Sequence, residues 1–138
     1  MKVQFHFLTP IGLPNRKKLK FFLETLSKKE NTRLSQVSYI FCSDEYLLQI
    51  NKQFLNHDFY TDIISFEISN DPAGKIAEIY ISTDRIRDNA PRFKTTLLKE
   101  LHRVIFHGIL HICGYKDKTA PEKQIMTQKE DYYLDLYF

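Results

Sequence analysis

At 138 residues, 43% apolar and 27% charged, the chain can enclose one hydrophobic core and has the make-up of a soluble globular domain. A formal charge of +3 and a pI near 8.8 permit a nucleic-acid partner without requiring one. Two cysteines, Cys42 and Cys113, exclude a disulfide framework, and no window approaches 18 consecutive apolar residues, which excludes a helical membrane span.

The opening MKVQFHFLTP has no continuous apolar stretch and no small-residue cleavage site, so it reads as a first strand over residues 3–8 and not as a signal peptide. A reducing cytoplasm is the expected location, with both cysteines as buried free thiols. After the turn at residues 12–14, Asn15 is positioned to cap a helix to residue 29 with Leu19, Phe22, Leu23 and Leu26 on one face. Its other face carries Arg16, Lys17, Lys18, Lys20, Lys28 and Lys29. It reads as a solvated charged face, with RNA contact the alternative.

Alternation predicts a second strand over 33–42, then a helix capped by Ser43 or Asp44 and running to residue 54. Residues 62–68 and 76–82 read as strands joined through Asn70, Asp71, Pro72 and Gly74, turn chemistry that predicts an antiparallel hairpin. A short helix over 83–89 is expected to stop near Pro91. A longer one opens at Thr95 and ends at Gly114, and its breadth of apolar surface predicts a path through the middle of the domain. A last helix is expected over 121–136. There is no repeat or low-complexity tract, and the order β-α-β-α-β-β-α-α-α predicts an α+β, mixed α/β single domain over residues 1–138.

The chemistry concentrates in His107-Gly-Ile-Leu-His111-Ile-Cys-Gly114-Tyr-Lys-Asp117. Histidines at i and i+4 lie about 40° apart around a helix and about 6 Å along it, so both imidazoles reach one ion from the same side. Gly114 supplies the positive φ that ends the helix and reverses the chain, bringing Asp117 back as a third ligand. Three protein ligands leave a fourth position for water, the open arrangement of catalytic zinc. Metzincin proteases share this spacing, but Gly108 stands where they need the general-base Glu, and Asp117 where they have a third His. A pair of core histidines is the bland alternative; the glycine stop and the carboxylate favour metal. His102 is about 140° from His107 around the helix and cannot join. His6 reads as structural, and His57, in a polar loop before Asp62, as a neighbour of the site.

Several segments together resemble the YbeY family of metal-dependent endoribonucleases. Asn51-Lys-Gln-Phe54 followed by Thr61-Asp62-Ile-Ile-Ser65-Phe66 resembles its L-N-x-x-[YF] … T-[DN]-V-L-S-F segment. Ala77-Glu78-Ile79-Tyr-Ile81-Ser82 resembles its G-D-I-x-I-S strand, and Glu100-Leu101 ahead of the histidine segment resembles its signature helix. Met126 and Glu130 resemble its final helix. These matches span residues 50–130. The resemblance implies one mixed four-stranded sheet with flanking helices around a central metal-binding helix, and one Zn²⁺ per chain. It also implies hydrolysis of single-stranded RNA in maturation of the 16S ribosomal RNA 3′ end and in quality control of the small ribosomal subunit.

Three positions depart from the family's pattern. Asp117 replaces the usual third His, which lowers the charge of a loaded site by one unit. Leu55 stands where the family usually carries an Arg, a candidate for phosphate or transition-state contact. Ala77-Glu78 replaces Gly-Asp. With Gly108 in the helix, a general base must come from elsewhere, and Glu78 and Asp62 are the candidates. The attacking group is either water or the RNA's own 2′-OH. Lys116 and Lys118 flank Asp117 and are either phosphate contacts or solvated. The competing functions are a non-catalytic zinc-containing ribosome-assembly factor and another zinc hydrolase such as a peptidase.

Overall fold

The computed structural model describes residues 1–57 and 61–138. Its elements run β1 (Lys2–Phe7), α1 (Arg16–Lys29), β2 (Leu34–Cys42), α2 (Asp44–Leu55), β3 (Ile63–Asp71), β4 (Gly74–Ser82), α3 (Thr83–Arg92), α4 (Leu97–Ile112) and α5 (Ala120–Tyr137). The sheet order is β1-β2-β4-β3, with β1 and β4 parallel to β2 and β3 antiparallel to β4. This is the mixed four-stranded α+β arrangement expected. Among the described residues, no helix is long and apolar enough to cross a membrane.

Strand alternation divides the side chains between two faces. Val37, Tyr39 and Phe41 of β2 and Ala77, Ile79 and Ile81 of β4 are buried on the face that receives α1 and α4. Tyr39 donates its phenolic hydrogen to the Ile105 carbonyl at 3.0 Å, and Phe22 of α1 packs on Phe106 of α4. On the other face a smaller cluster of Cys42, Leu47 and Ile64, with Phe66 and Tyr80 beside it, lies under α2. α4 is buried along most of its length, between the sheet and α5, as its apolar breadth implied.

Local capping follows the sequence closely. The side chains of Ser43, Ser82, Thr96 and Thr119 each accept from the backbone N–H three residues on, and Thr119 with Glu122 completes a capping box. Asn15 occupies the expected cap position of α1 but is left-handed, with φ 55°, and makes no side-chain cap bond. α3 does not stop before Pro91. That proline removes only its own N–H, and Phe93 and Thr95 still donate to the carbonyls of Asn89 and Ala90, so the last turn survives. The cations of α1 are partly docked: Lys18 reaches the Tyr137 carbonyl at 2.9 Å, Lys29 the Tyr132 hydroxyl at 2.9 Å, and Arg16 covers the Phe7 ring.

One contact sets the depth at which α4 sits. A Cβ added at Gly108 would stand 2.8 Å from Ile79 Cγ2 and 2.9 Å from Ile63 Cδ1, methyl groups on two different strands. Only a residue without a side chain allows this approach of helix to sheet. Gly108→Ala is expected to destabilise the protein by about 1 kcal/mol, because overpacking by one methyl outweighs the gain of roughly 1 kcal/mol in helix propensity. Denaturant unfolding of the variant measures this, and unchanged stability would refute the close-packing account.

His102 is 1% exposed, donates from Nδ1 to the Leu98 carbonyl at 2.7 Å and stacks on Tyr137; among the described residues its Nε2 has no hydrogen-bond partner. Burial, aided by the nearby Lys18 ammonium, outweighs the Leu98 carbonyl and lowers its pKa. A lowered folded-state value means the unfolded chain binds the proton more readily. The stability contributed is therefore present above the ordinary histidine value of about 6.5 and is lost as pH falls through the folded value. Thermal unfolding between pH 7.5 and 5 should show a shallower acid-side loss in His102→Phe than in the parent. Identical slopes would contradict the assignment.

Candidate metal centre

α4 delivers His107 and His111 one turn apart, with ring centroids 4.6 Å apart. The helix then ends in a Schellman motif: Gly114, at φ 107°, donates to the His111 carbonyl at 3.0 Å and Tyr115 to the Leu110 carbonyl at 3.1 Å. That reversal returns Asp117 to the histidines. His107 Nε2 lies 3.3 Å from Asp117 Oδ2, and His111 Nε2 lies 3.6 Å from Oδ1. The three residues offer ligand atoms all within 4.8 Å of one another, a group that could hold a metal ion.

The spacing suits an ion better than an ion pair. Charge-assisted N–H···O bonds are about 2.7–2.9 Å long, shorter than either contact here. Ligands about 2.1 Å from a tetrahedral centre stand roughly 3.4 Å from one another, close to what is found.

Both rings are held from behind. His107 Nδ1 is hydrogen-bonded to Glu130 of α5, and His111 Nδ1–H donates to the Tyr115 carbonyl at 2.8 Å. A carbonyl only accepts, so Nδ1 of His111 carries the hydrogen and Nε2 presents its lone pair to the centre. Glu130 is itself bound by Arg103 at 3.1 Å, and Arg103 grips the buried Glu100 through two bonds of 2.9 and 2.7 Å. Burial opposes the charge on Arg103, but the two carboxylates win and raise its pKa. Asp117, Glu130 and Glu100, with Asp62 nearby, outnumber the one guanidinium of Arg103, a surplus of negative charge that a cation at the centre would offset. Burial likewise opposes a proton on His107, yet the Glu130 bond and the charges of Glu130, Asp117 and Asp62 raise its pKa. At His111 burial and the neighbouring His107 prevail and lower it.

The triad opens into a cleft of about 830 Å³ along β3, lined by Asp62, His57, Leu55, Lys75 and Lys118 among others. Asp62, the candidate base, and His57 both line this cleft. Lys75 is held by Glu67 at 3.0 Å and by the Ile112 carbonyl at 3.1 Å. Lys118 lines the cleft; Lys116 does not. Glu78 requires a correction. It pairs across the sheet with Phe66 and bonds Tyr80, on the face opposite Ile79 and α4, so a base at that position would have the sheet between it and the triad. Glu130, Arg103 and the Tyr115 carbonyl hold the two imidazoles from behind, contacts that local spacing did not reveal. The available signal was an acid on the buried stripe of α5, where Met126, Glu130, Tyr133 and Tyr137 recur at helical spacing.

Residues 13–137 match the family model described as Endoribonuclease YbeY. The Endoribonuclease YbeY of Cytophaga hutchinsonii is 50% identical over 129 residues, covering 93% of this chain and 90% of its own length. That of Flavobacterium johnsoniae is 39% identical over 137 residues, covering 98% and 96%. The solution structure of TM1509 from Thermotoga maritima is similar with a TM-score of 0.62 at 29% identity, covering 99% of this chain and 89% of that one.

A centre built this way should bind about one equivalent of a divalent transition metal. His107→Ala, His111→Ala and Asp117→Ala are expected to lose it, Asp117→His to retain it, and Glu130→Gln to bind roughly 10- to 100-fold more weakly. Competition with a chromophoric chelator reads all five. Equal affinity of Asp117→Ala and the parent would eliminate the carboxylate as a ligand.

Proposed function

The chain belongs to the YbeY family of endoribonucleases, and from that premise we propose that it hydrolyses single-stranded RNA at one zinc ion held by His107, His111 and Asp117. The observation that carries the reading is the pair of Nε2 atoms, each fixed from behind, facing one carboxylate at the wall of an open cleft. Two imidazoles and a carboxylate are a donor set that suits zinc. Bound there, zinc supplies Lewis-acid polarisation of a phosphoryl oxygen and acidifies water to a pKa of about 7.

The protein's own groups supply the rest. Glu130 and the Tyr115 carbonyl hold the imidazoles in register, so no reorganisation is needed when substrate arrives. Asp62 is the acid–base candidate, because it lines the cleft and its charge reaches His107. Lys118 at the mouth attracts the phosphate backbone. Leu55 gives that wall an apolar surface where the family usually carries a guanidinium. A peptidase is disfavoured on steric grounds: its general-base Glu would occupy position 108, where even a Cβ meets Ile79 and Ile63. The assembly-factor alternative is disfavoured by the relatives, which are named as endoribonucleases.

The substrate proposed is ribosomal RNA, in 3′-end maturation of the 16S species and quality control of the small subunit. The protein would act in the cytoplasm as one domain over residues 1–138. The metal-loaded protein is expected to cleave single-stranded RNA, with activity abolished by chelation and reduced roughly a hundredfold or more in His107→Ala. Cleavage that persists in His107→Ala would trace to a contaminating nuclease. Small-subunit binding without cleavage would restore the assembly-factor reading. Cyclic 2′,3′-phosphate ends paired with 5′-OH ends would identify 2′-OH attack, and 3′-OH ends paired with 5′-phosphates would identify water attack.

A further inference from the structure

Glu30 lies 77 residues before His107, immediately after α1, yet its carboxylate is 8% exposed and crowded with donors. Tyr115 donates to its Oε1 at 2.6 Å, Lys129 reaches its Oε2 at 3.1 Å, and the Tyr133 hydroxyl donates to Oε2 as well. A carboxylate at a helix C-terminus faces the negative end of the helix dipole, an unfavourable place for it. Burial works against its charge too, but the two phenols and the ammonium together lower its pKa.

Tyr115 connects this cluster to the metal centre. Its carbonyl receives His111 Nδ1–H and its phenol is held by Glu30, so both ends of one residue are committed. The start of the loop is fixed by the two Schellman bonds, from the Gly114 N–H to the His111 carbonyl and from the Tyr115 N–H to the Leu110 carbonyl, and the Tyr115 ring packs on the core beneath the Lys129 ammonium. Those contacts place the backbone as far as the Tyr115 N–H, and the phenol's anchor on Glu30 adds a further restraint on the Tyr115 carbonyl and, through it, on the direction of His111 Nε2.

We propose that Glu30 is a positioning residue for the metal centre, fixing the orientation of His111 through the hydroxyl and carbonyl of Tyr115. The proposal rests on the metal-centre reading above and extends it to the C-terminal end of α1. Glu30 touches neither metal nor substrate. Its role is to hold the loop that starts at Gly114 so that the lone pair of His111 faces Asp117.

The test pairs two readouts on the whole protein. Zinc affinity is measured by chelator competition, and the His111 ring tautomer in metal-free protein by long-range ¹H–¹⁵N NMR. Tyr115→Phe and Glu30→Ala should each weaken zinc binding on the order of tenfold and shift His111 from the single Nδ1–H tautomer to a mixture. The double variant should be no weaker than the worse single one, since both remove the same anchor. Glu30→Gln keeps an accepting oxygen and should recover most of the affinity. Tyr133→Phe leaves the loop's anchor in place and should remain within about twofold of the parent. If Glu30 merely ties α1 to α5, Glu30→Ala will melt at lower temperature with zinc affinity and tautomer unchanged, and the proposal fails. Tyr115→Phe removes one oxygen and decides the matter even where Glu30→Ala does not fold. A parent that binds no zinc defeats the metal-centre reading, whereas the tautomer measurement still judges Glu30 separately.

Discussion

At Gly108 the backbone of α4 lies so close to β3 and β4 that the space for one methyl group is already filled by Ile79 and Ile63. The helix is therefore seated deeply, and the rest of the centre follows from that seat. His107 precedes the contact and His111 follows it by three residues, so both rings emerge beside the sheet at the wall of the cleft. The same contact denies position 108 to a carboxylate and so bars the chemistry that the histidine spacing would serve in a metalloprotease. One steric constraint thus positions two ligands and removes one mechanism.

Behind the ligands stands a polar network in an otherwise apolar layer. Glu100 and Glu130 are 1% and 3% exposed, and burying carboxylates is costly even when each is paired. A hydrophobic substitute would pack this space at no such cost, so the network is poorly explained as a device for stability. As support for ligands it has a clear logic. The Glu130 bond orients His107, Arg103 fixes Glu130, and Glu100 completes the guanidinium's pairing. The surplus of negative charge then favours a divalent cation over an empty centre.

Much of the architecture was readable without coordinates because caps and periodicity are local. Ser43 and Gly114 mark their boundaries through hydrogen bonds to residues within a few positions, and the hairpin through its turn residues, whereas α4 is capped by Thr96 one residue after the expected Thr95. The misreadings have the same origin in reverse. Asn15 has the composition of a cap but a left-handed backbone, and Pro91 carries a helix-stopping identity in a turn that its neighbours' bonds complete. Glu78 was legible as lying opposite Ala77 and Ile79, since strand alternation demands it. Which of those faces would receive α4 was not, because that depends on contacts between elements.

The amino-acid sequence by itself determined the triad. His107, His111 and Asp117 fall within eleven residues, and helix pitch with one glycine reversal is enough to bring them together. Only the tertiary structure decided which nitrogen of each imidazole faces the centre, because the partners that settle it are brought in by packing. Glu130 arrives with α5 docked on α4, and the loop carrying the Tyr115 carbonyl is anchored by Glu30 at the end of α1. Backbone geometry propagates over a few residues, whereas the choice of a hydrogen-bond partner across helices depends on the relative seating of whole elements. Here that seating was set by the volume missing at Gly108.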